Sequence, residues 1–315
     1  MSLVTQENPI AGVAVPAEYA AGPREFFSLM KPRVMSLVIL TALAGILIAP
    51  GHVHPVIGFA SLLAISIGAG AAGALNMWWD ADIDVLMART RLRAVPSGMI
   101  PAGEALYFGV TLAFLAVLTL AAAANFQSAA LLAFTIFFYV VIYTMWLKRL
   151  TPQNIVIGGA AGALPPVVGC AAVSGSVTLD SLWLFAIIFV WTQPHFWALA
   201  LVKSRDYERA GVPMMPNAKG AARTRLEILI YSLLLAPLGV APWLVGMAGA
   251  LYAAASIVLG AMLLWLAARV YLTRDGANAN KVCMQLFGFT ILYLFVLFGL
   301  LVFERGFGLF ARWGL

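Results

Sequence analysis

Three polar residues recur at intervals of four near the end of an apolar stretch, and they are Asn76, Asp80 and Asp84. On an α-helix this spacing aligns the three side chains along one face and turns Asp82 to the opposite side. A column of acids is costly unless a cation compensates its charge. Oxygen ligands without a neighbouring thiol or imidazole favour a hard divalent ion, above all Mg²⁺. The alternative is an acidic helix end that is exposed to water or paired with Arg89 and Arg93.

A second polar stretch, from His195 to Pro216, carries an acid among several basic residues. If the preceding helix continues into it, His195 and Asp206 lie on one face, because eleven residues make three turns. Lys203 then lies within one turn of Asp206. An acid beside several cations suits a site that holds a second metal ion or receives a diphosphate. The alternative is that these basic residues only orient the chain in a membrane and that Asp206 is incidental.

The composition assigns the chain to the membrane proteins. Of its 315 residues, 63% are hydrophobic and 10% are charged, whereas roughly a quarter of the residues of a soluble domain are charged. Cys170 and Cys283 lie in apolar runs and are expected to be small buried residues, not a redox pair or a metal site.

Nine stretches are long enough to cross a bilayer. Their approximate limits are 34–50, 56–76, 104–123, 127–147, 154–173, 181–201, 226–243, 247–270 and 283–303.

The placement of the basic residues predicts an orientation. Of the 19 lysines and arginines, all but Arg305 and Arg312 fall at connections on one side of this map. The positive-inside rule then makes the N-terminus cytoplasmic and the C-terminus external. We therefore expect an all-α polytopic membrane protein, with a flexible cytoplasmic tail (1–33), one bundle of nine transmembrane helices (34–303) and an external tail (304–315). Topology explains the net charge of +6, and no nucleic-acid partner is expected.

The two longest polar connections follow the second and the sixth span, as if each half of a duplicated arrangement contributed one. Together they indicate a metal-diphosphate site that opens into an apolar bundle. Such a site suits a substrate with a polyanionic head and a long hydrocarbon tail. Its natural chemistry is ionisation of an allylic diphosphate, in which the metal neutralises the leaving group and a cation develops in a dry pocket. Nearby aromatic rings, such as those of Trp78, Tyr139 and Tyr143, could face that cation.

The column at the end of the second span resembles the first aspartate motif of the intramembrane prenyltransferases, whose nine-span plan is similar across nearly the whole chain. Within that superfamily, four segments resemble the protohaem IX farnesyltransferases, also called haem O synthases. They are Met30-Lys31-Pro32-Arg33-Val34, Asn76 to Asp84 with Met87-Ala-Arg89-Thr90-x-x-Arg93, Pro194 to Ala200, and Asp206-Tyr207 with Ala210 to Met214. General members carry a second Asp-x-x-x-Asp motif, for which this chain has Val202 and Ala210 around Asp206. Lys203 is therefore expected to supply charge in place of a second ion.

The resemblance implies transfer of a farnesyl group from farnesyl diphosphate to a vinyl group of haem b, which gives haem O, with Mg²⁺ as cofactor. It implies that the metal is held by Asn76, Asp80, Asp84 and Asp206. The same four residues and Lys203 are the catalytic candidates. The diphosphate would be bound by Arg89, Arg93, Lys203 and Tyr207.

The expected location is a bacterial inner membrane, because residues 1–33 resemble neither a signal peptide nor a transit peptide. The positive-inside rule places the active site on the cytoplasmic side of that membrane. Membrane lipid is a further expected partner. Haem A synthase and a second copy of the chain are candidate partners.

His195 lies inside the sixth span, and a haem held through its iron would most simply use it. The alternative is a buried imidazole that is hydrogen-bonded to a neighbouring helix. Lys148, Arg149 or loop arginines could meet the haem propionates. Three other functions stay open, namely prenylation of an aromatic acid or quinone precursor, secondary transport, and haem binding without catalysis. A transporter should carry charge at the membrane midplane, whereas these acids lie at helix ends.

Overall fold

The computed structural model describes residues 21–274, 276–306 and 308, and the regular structure in these ranges is entirely helical. Most of both predicted tails, residues 1–20 and 309–315, lies outside the described residues. The helices are α1 (Pro23–Leu29), α2 (Pro32–Ile48), α3 (Pro55–Trp79), α4 (Ala81–Asp84), α5 (Ala102–Ala123), α6 (Phe126–Phe137), a π-helical segment (Phe138–Leu147), α7 (Lys148–Leu150), α8 (Asn154–Ala163), α9 (Pro165–Ser174), α10 (Leu179–Val202), α11 (Ser204–Arg209), α12 (Met215–Lys219), α13 (Ala221–Leu244), α14 (Ala250–Leu272) and α15 (Ala277–Gly306).

Eight helical rods in the described ranges are long and apolar enough to cross a membrane. They are α3, α5, α6 to α7, α8 with α9, α10, α13, α14 and α15. The pair α1 and α2, bent by 56°, makes a ninth when it is counted as one span. The prediction of an all-α transmembrane bundle is confirmed, with eight candidate spans in the described ranges, or nine when α1 and α2 are counted as one.

The predicted limits of the first and last helices are too narrow. The expectation of a flexible tail through residue 33 is wrong for residues 23–29, which form α1 and bury Leu29 completely. At the other end, α15 continues to Gly306, beyond the expected start of a tail at residue 304. A search for apolar runs also misses polar first turns. α13 begins at Ala221, ahead of Arg223 and Arg225, although its apolar stretch begins at residue 226.

Proline residues and capping side chains set several helix ends. Pro32, Pro55 and Pro165 occupy the first positions of α2, α3 and α9, where a missing backbone N–H costs nothing. The side chains of Asn125 and Thr178 accept hydrogen bonds from the backbone three residues further on, which caps α6 and α10. The fifth predicted span is therefore two helices that meet at Pro165.

Two apolar clusters form the bundle. One joins α3, α5 and α6, the other joins α10, α13, α14 and α15, and α2 contributes side chains to both. Glycines bring α2 against α9, because a Cβ on Gly45 would lie 2.0 Å from the carbonyl oxygen of Pro166. Small residues allow such close approach of membrane helices. Because successive rods run in opposite directions, the connections after α3, α7, α10 and α14 lie at one end of the bundle, termed the site face below.

Candidate active site

The predicted column of Asn76, Asp80 and Asp84 is present, although the helix that carries it is interrupted. α3 ends at Trp79, the backbone N–H of Asp80 donates to the carbonyl oxygen of Asn76, and α4 follows. All three side chains are buried. The amide of Asn76 donates a 2.7 Å hydrogen bond to Oδ2 of Asp80. Asp82 is exposed, which agrees with its predicted position away from the column.

The loop after α4 holds Asp84. Nη1 of Arg93 lies 2.7 Å from Oδ2 of Asp84, and the hydroxyl of Thr90 donates to the carbonyl oxygen of Asp84 at 2.8 Å. Arg93, a predicted diphosphate ligand, is thus paired with an acid of the column in this structure. Arg89, the other predicted arginine of this loop, is exposed and lies close enough to Tyr143 to interact with it electrostatically. Both arginines therefore lie beside the column at the site face.

Two lysines that the sequence analysis did not assign to the column reach it from distant segments. Nζ of Lys31 donates to Oδ1 of Asn76 at 2.7 Å, and Nζ of Lys148 donates to Oδ2 of Asp80. The paired residues are 45 and 68 positions apart in the chain. Their only signal in the sequence is that each lysine lies at the end of a predicted span on the same side as the column. Tertiary contacts of this kind cannot be found from local spacing.

The backbone of Lys31 is strained in a way that serves its position. Its φ is 54°, which makes it the one non-glycine residue with a positive φ in the described ranges. Such a conformation costs about 1–3 kcal/mol and persists only where the surrounding structure enforces it. α3 lies close to this segment at two glycines, because a Cβ on Gly70 would lie 2.5 Å from Cε of Met30 and a Cβ on Gly73 would lie 3.6 Å from Cδ of Lys31. The glycine-lined surface of α3 therefore admits the segment that presents Lys31.

The π-helical segment supplies further groups to the column. The hydroxyl of Thr144 accepts a 3.1 Å hydrogen bond from the amide of Asn76, and Lys148 follows one turn later. Insertions of π-helix alter the direction of the residues that follow and occur often at functional sites. Here the segment lets Thr144 and Lys148 meet two neighbouring members of the column.

The same segment places two aromatic rings near the acids. The rings of Tyr139 and Tyr143 lie 5.5 Å apart, and both interact electrostatically with Asp80. Tyr143 packs against the backbone of α8, where a Cβ on Gly158 would lie 2.1 Å from its Cδ2 atom. Two of the aromatic residues predicted to face a developing cation are thus at the column.

Asp80 keeps one carboxylate oxygen available for a ligand. Its Oδ1 atom is buried, has no hydrogen-bond partner among the described residues, and lies 3.8 Å from Nη2 of Arg149. Burial raises the pKa of Asp80, and the neighbouring Lys148 ammonium opposes that rise. A buried carboxylate oxygen without a donor is costly, and a bound cation would remove the cost. The oxygen donors of Asp80 and Asn76 fit Mg²⁺ in chemical type.

The protein donors at this point are few. Across residues 21–274, 276–306 and 308, no three Asp, Glu, His or Cys side chains are close enough to hold a metal ion. Asp206, predicted as a ligand together with Asp80 and Asp84, is not gathered with them in this arrangement. An ion at Asp80 would take further oxygens from water, and from diphosphate when it is present, which is the usual coordination of Mg²⁺ in phosphate-binding sites.

The second polar stretch does not extend α10 as the spacing predicted. α10 ends at Val202, Lys203 caps it, and the separate helix α11 carries Asp206 and Tyr207. Asp206 lies 4.0 Å from Arg209, and Lys203 and Asp206 line one groove at the site face. The predicted neighbourhood of Lys203 and Asp206 therefore exists, although a turn between two helices creates it.

The two polar loops meet through apolar contacts. Tyr207 is buried in a cluster that includes Ile83 and Met87 of the first loop and Met214 of the second. Tyr207 also interacts electrostatically with Tyr143 of the π-helical segment. This cluster ties the loop of the aspartate column to the loop of Lys203 and Asp206, so both loops border the same region of the site face.

His195 is buried between helices α10 and α15. Its ring is stacked between those of Trp191 and Phe287, each with a centroid distance of 4.4 Å. The hydroxyl of Thr290 donates to the carbonyl oxygen of Phe287, and this hydroxyl lies 2.8 Å from Nδ1 of His195. If the single proton of this hydroxyl goes to Phe287, the hydroxyl accepts from Nδ1 of His195. In that tautomer the lone pair of the imidazole is on Nε2.

Residues 38–304 match the model of the UbiA prenyltransferase family. The chain belongs to this family. Curated relatives refine the relationship within the UbiA prenyltransferases. The chain is 66% identical to a protoheme IX farnesyltransferase of Beijerinckia indica, over 91% of this chain and 89% of the relative. It is 61% identical to a protoheme IX farnesyltransferase of Methylocella silvestris, over 97% and 96% of the two chains. The resemblance predicted from the four sequence segments is confirmed, and the protein is a prenyltransferase.

Solved structures confirm the fold. A structure of digeranylgeranylglyceryl phosphate synthase matches with a TM-score of 0.72 and 15% identity, over 89% of this chain and 98% of that one. A UbiA homologue from Archaeoglobus fulgidus bound to GPP and Mg²⁺ matches with a TM-score of 0.61 and 15% identity, over 88% and 99%. At this level of identity, the likeness establishes the arrangement of helices.

Proposed function

We propose that this UbiA-family prenyltransferase transfers the farnesyl group of farnesyl diphosphate to a vinyl group of haem b and produces haem O. The bond between farnesyl C1 and the diphosphate oxygen breaks, and the electron pair leaves with diphosphate. The terminal vinyl carbon forms a bond to C1. Water adds to the other vinyl carbon and loses a proton, which gives the hydroxyl group. Farnesyl diphosphate, haem b and water thus become haem O and diphosphate.

The observation that carries this proposal is the near-full-length identity to relatives named protoheme IX farnesyltransferase. The site supports it independently. Buried acid and amide oxygens, four neighbouring cationic side chains and two tyrosine rings converge where a span meets the site face. This combination suits ionisation of an allylic diphosphate, which requires charge neutralisation of the leaving group beside a dry, aromatic pocket.

Asn76, Asp80 and Asp84 are the proposed holders of Mg²⁺. When bound, Mg²⁺ would neutralise charge on the departing diphosphate. Lys31, Lys148 and Arg93 already lie within reach of the column. We propose that these three cations exchange part of their contacts with the acids for diphosphate oxygens when substrate enters, which adds charge-assisted hydrogen bonds to the leaving group.

The second loop would complete the diphosphate site. Lys203 and Tyr207 are proposed to bind diphosphate oxygens together with Arg89. Asp206 keeps its proposed catalytic and metal-binding role only if the loops approach further on substrate binding, because it is paired with Arg209 in this structure. The apolar cluster around Tyr207 is where such an approach would have to occur.

His195 is the proposed axial ligand of the haem iron. Its Nδ1 lies 2.8 Å from the hydroxyl of Thr290 and its ring is stacked between Trp191 and Phe287. In the tautomer in which Nδ1 donates to Thr290, Nε2 carries the lone pair that ligation requires. Iron-ligating histidines typically donate their other ring nitrogen in this way, which fixes the tautomer and the ring orientation. The stacking of the ring also fits the alternative of a packing role. The contact between Nδ1 and Thr290 is the feature that favours the ligand role.

The protein is a multi-pass membrane protein. We propose that it resides in a bacterial inner membrane with the site face toward the cytoplasm, because the lysines and arginines are concentrated at that end. Membrane lipid surrounds the bundle. Haem A synthase, which would receive haem O, and a second copy of the chain remain proposed partners.

The decisive experiment supplies the purified protein in lipid nanodiscs with labelled farnesyl diphosphate, Mg²⁺ and haem b. Mass spectrometry should detect haem O and free diphosphate. An aromatic acid in place of haem b should yield no prenylated product. Product from the aromatic acid alone would refute the haem assignment, and solute flux across vesicles that is independent of Mg²⁺ would favour a transporter. Stoichiometric haem binding without product would favour an assembly factor.

A further inference from the structure

Asp82 lies outside the column, yet it has the most regular ion pair at the site. Nη1 and Nη2 of Arg149 each lie 2.7 Å from a carboxylate oxygen of Asp82. Nη2 also donates to the carbonyl oxygen of Trp79 at 3.2 Å, and the guanidinium lies 5.9 Å from the centroid of the Trp79 ring. A two-point contact between a guanidinium and a carboxylate fixes orientation as well as distance. Asp82 and Trp79 together therefore hold Arg149 in one position.

This position keeps Arg149 close to Asp80 but not bonded to it. Nη2 of Arg149 lies 3.8 Å from Oδ1 of Asp80, beyond the length of a hydrogen bond. Oδ1 is the buried oxygen of Asp80 that has no hydrogen-bond partner in the described ranges. A guanidinium at this distance from a buried carboxylate is strongly attracted to it. Asp82 supplies the competing attraction, since both of its carboxylate oxygens accept 2.7 Å hydrogen bonds from Arg149.

We propose that Asp82 is a positioning residue that holds Arg149 away from Asp80, so that Oδ1 of Asp80 stays free for a divalent cation. The inference rests on the proposed metal site and assigns a function to a residue outside the column. Two consecutive residues, Lys148 and Arg149, then have separate partners. Lys148 bonds to Oδ2 of Asp80, whereas Arg149 is diverted to Asp82.

Two simpler roles for Asp82 fit the geometry less well. As a metal ligand it would be poorly placed, because its side chain is 61% exposed and Arg149 uses both of its oxygens. As a stabilising surface ion pair it would contribute little, since exposed pairs rarely contribute much to folding. Removal of the carboxylate should consequently change metal binding more than stability.

The test measures Mn²⁺ binding by electron paramagnetic resonance on purified protein without substrates, with the thermal midpoint of the metal-free protein as the folding control. Asp82→Asn should raise the Mn²⁺ Kd by about fivefold, because Arg149 closes on Asp80. Adding Arg149→Gln to that variant should return the Kd to within about twofold of the original value, because the competing cation is gone. Glu227→Gln is the matched control, since it frees Arg223 from a 2.5 Å ion pair elsewhere, and its Kd should not change.

An unchanged Kd in Asp82→Asn would overturn the inference. A double variant that binds Mn²⁺ as weakly as Asp82→Asn would also overturn it, because Asp82 would then act on the metal directly. If Asp82→Asn does not fold, Asp82→Ser takes its place, and it should weaken Mn²⁺ binding only while Arg149 is present. Unaltered protein that binds no Mn²⁺ would overturn the proposed metal site itself, a result distinct from failure of the Asp82 variants alone.

Discussion

Nζ of Lys31 lies 2.7 Å from Oδ1 of Asn76, although the two residues are 45 positions apart. The contact joins the start of α2 to the end of α3 and brings a cation to the first member of the column. Lys31 makes this contact from a left-handed backbone conformation, which is energetically costly for a residue other than glycine. A group retained at such a cost is expected to take part in function.

Replacement of Lys31 by Met should reduce kcat/KM for farnesyl diphosphate by about 10- to 100-fold, because one cation that neutralises the leaving group is lost. Steady-state kinetics with varied farnesyl diphosphate measure the effect. Arg33→Gln is the control, since Arg33 is an exposed cation two residues away and should change kcat/KM less than twofold, about the effect of losing a surface charge. Equal rates in Lys31→Met and the unaltered protein would exclude Lys31 from the site.

Replacement of Asp80 by Asn should lower haem O formation by more than about 10³-fold, because the carboxylate that would hold the divalent ion is lost. Membrane insertion and helix content should persist, and circular dichroism checks them. Glu104→Gln removes the same charge from an exposed position at the start of α5 and should leave the rate unchanged. Haem O synthesis that survives in Asp80→Asn would count strongly against the metal assignment.

A methyl group at Gly158 should displace Tyr143, because the new Cβ would lie 2.1 Å from the ring. Overpacking of this kind costs about 1–3 kcal/mol, so Gly158→Ala should lower the thermal midpoint and slow turnover. Gly162→Ala is a matched control on the same helix, where a Cβ meets nothing within 4 Å. That control should be neutral or slightly stabilising, as alanine is in an unobstructed helix.

Replacement of Thr290 by Val should weaken haem binding, because Nδ1 of His195 loses its hydrogen-bond acceptor. Loss of such a partner typically reduces affinity of a metal site by about 10- to 100-fold. Titration of haem b by its Soret absorbance, without farnesyl diphosphate, measures the effect. Thr135→Val removes a hydroxyl bonded to its own helix and should bind haem normally. Unaltered affinity in Thr290→Val would indicate that His195 only packs between α10 and α15.

Local regularities made much of the molecule predictable. Hydropathy located the candidate spans because the bilayer requires long apolar helices whatever their neighbours. A spacing of four found Asn76, Asp80 and Asp84 because residues on the same or adjacent turns share a helix face. Both cysteines are buried and free, as their apolar surroundings predicted.

Predictions that depended on a helix continuing were less successful. Lys203 and Asp206 were expected on an extension of α10, but a turn at Lys203 starts a new helix. The tail was expected to run through residue 33, but α1 buries Leu29 against residues of α3 and the following loop. In both cases contacts with distant parts of the chain decide where the helix ends or begins. The periodicity of a single sequence carries no information about such contacts.

The sequence by itself determined the class of protein, the approximate positions of the spans, the aspartate column and the family resemblance, since each depends on composition or on neighbours along the chain. Only the tertiary structure decided which cations meet the column. Lys31 and Lys148 bond to it across 45 and 68 residues, and Arg149 approaches Asp80 to within 3.8 Å. A charge in a buried site takes the partner that packing brings within about 4 Å, and the choice among 19 lysines and arginines is made by the way the helices pack.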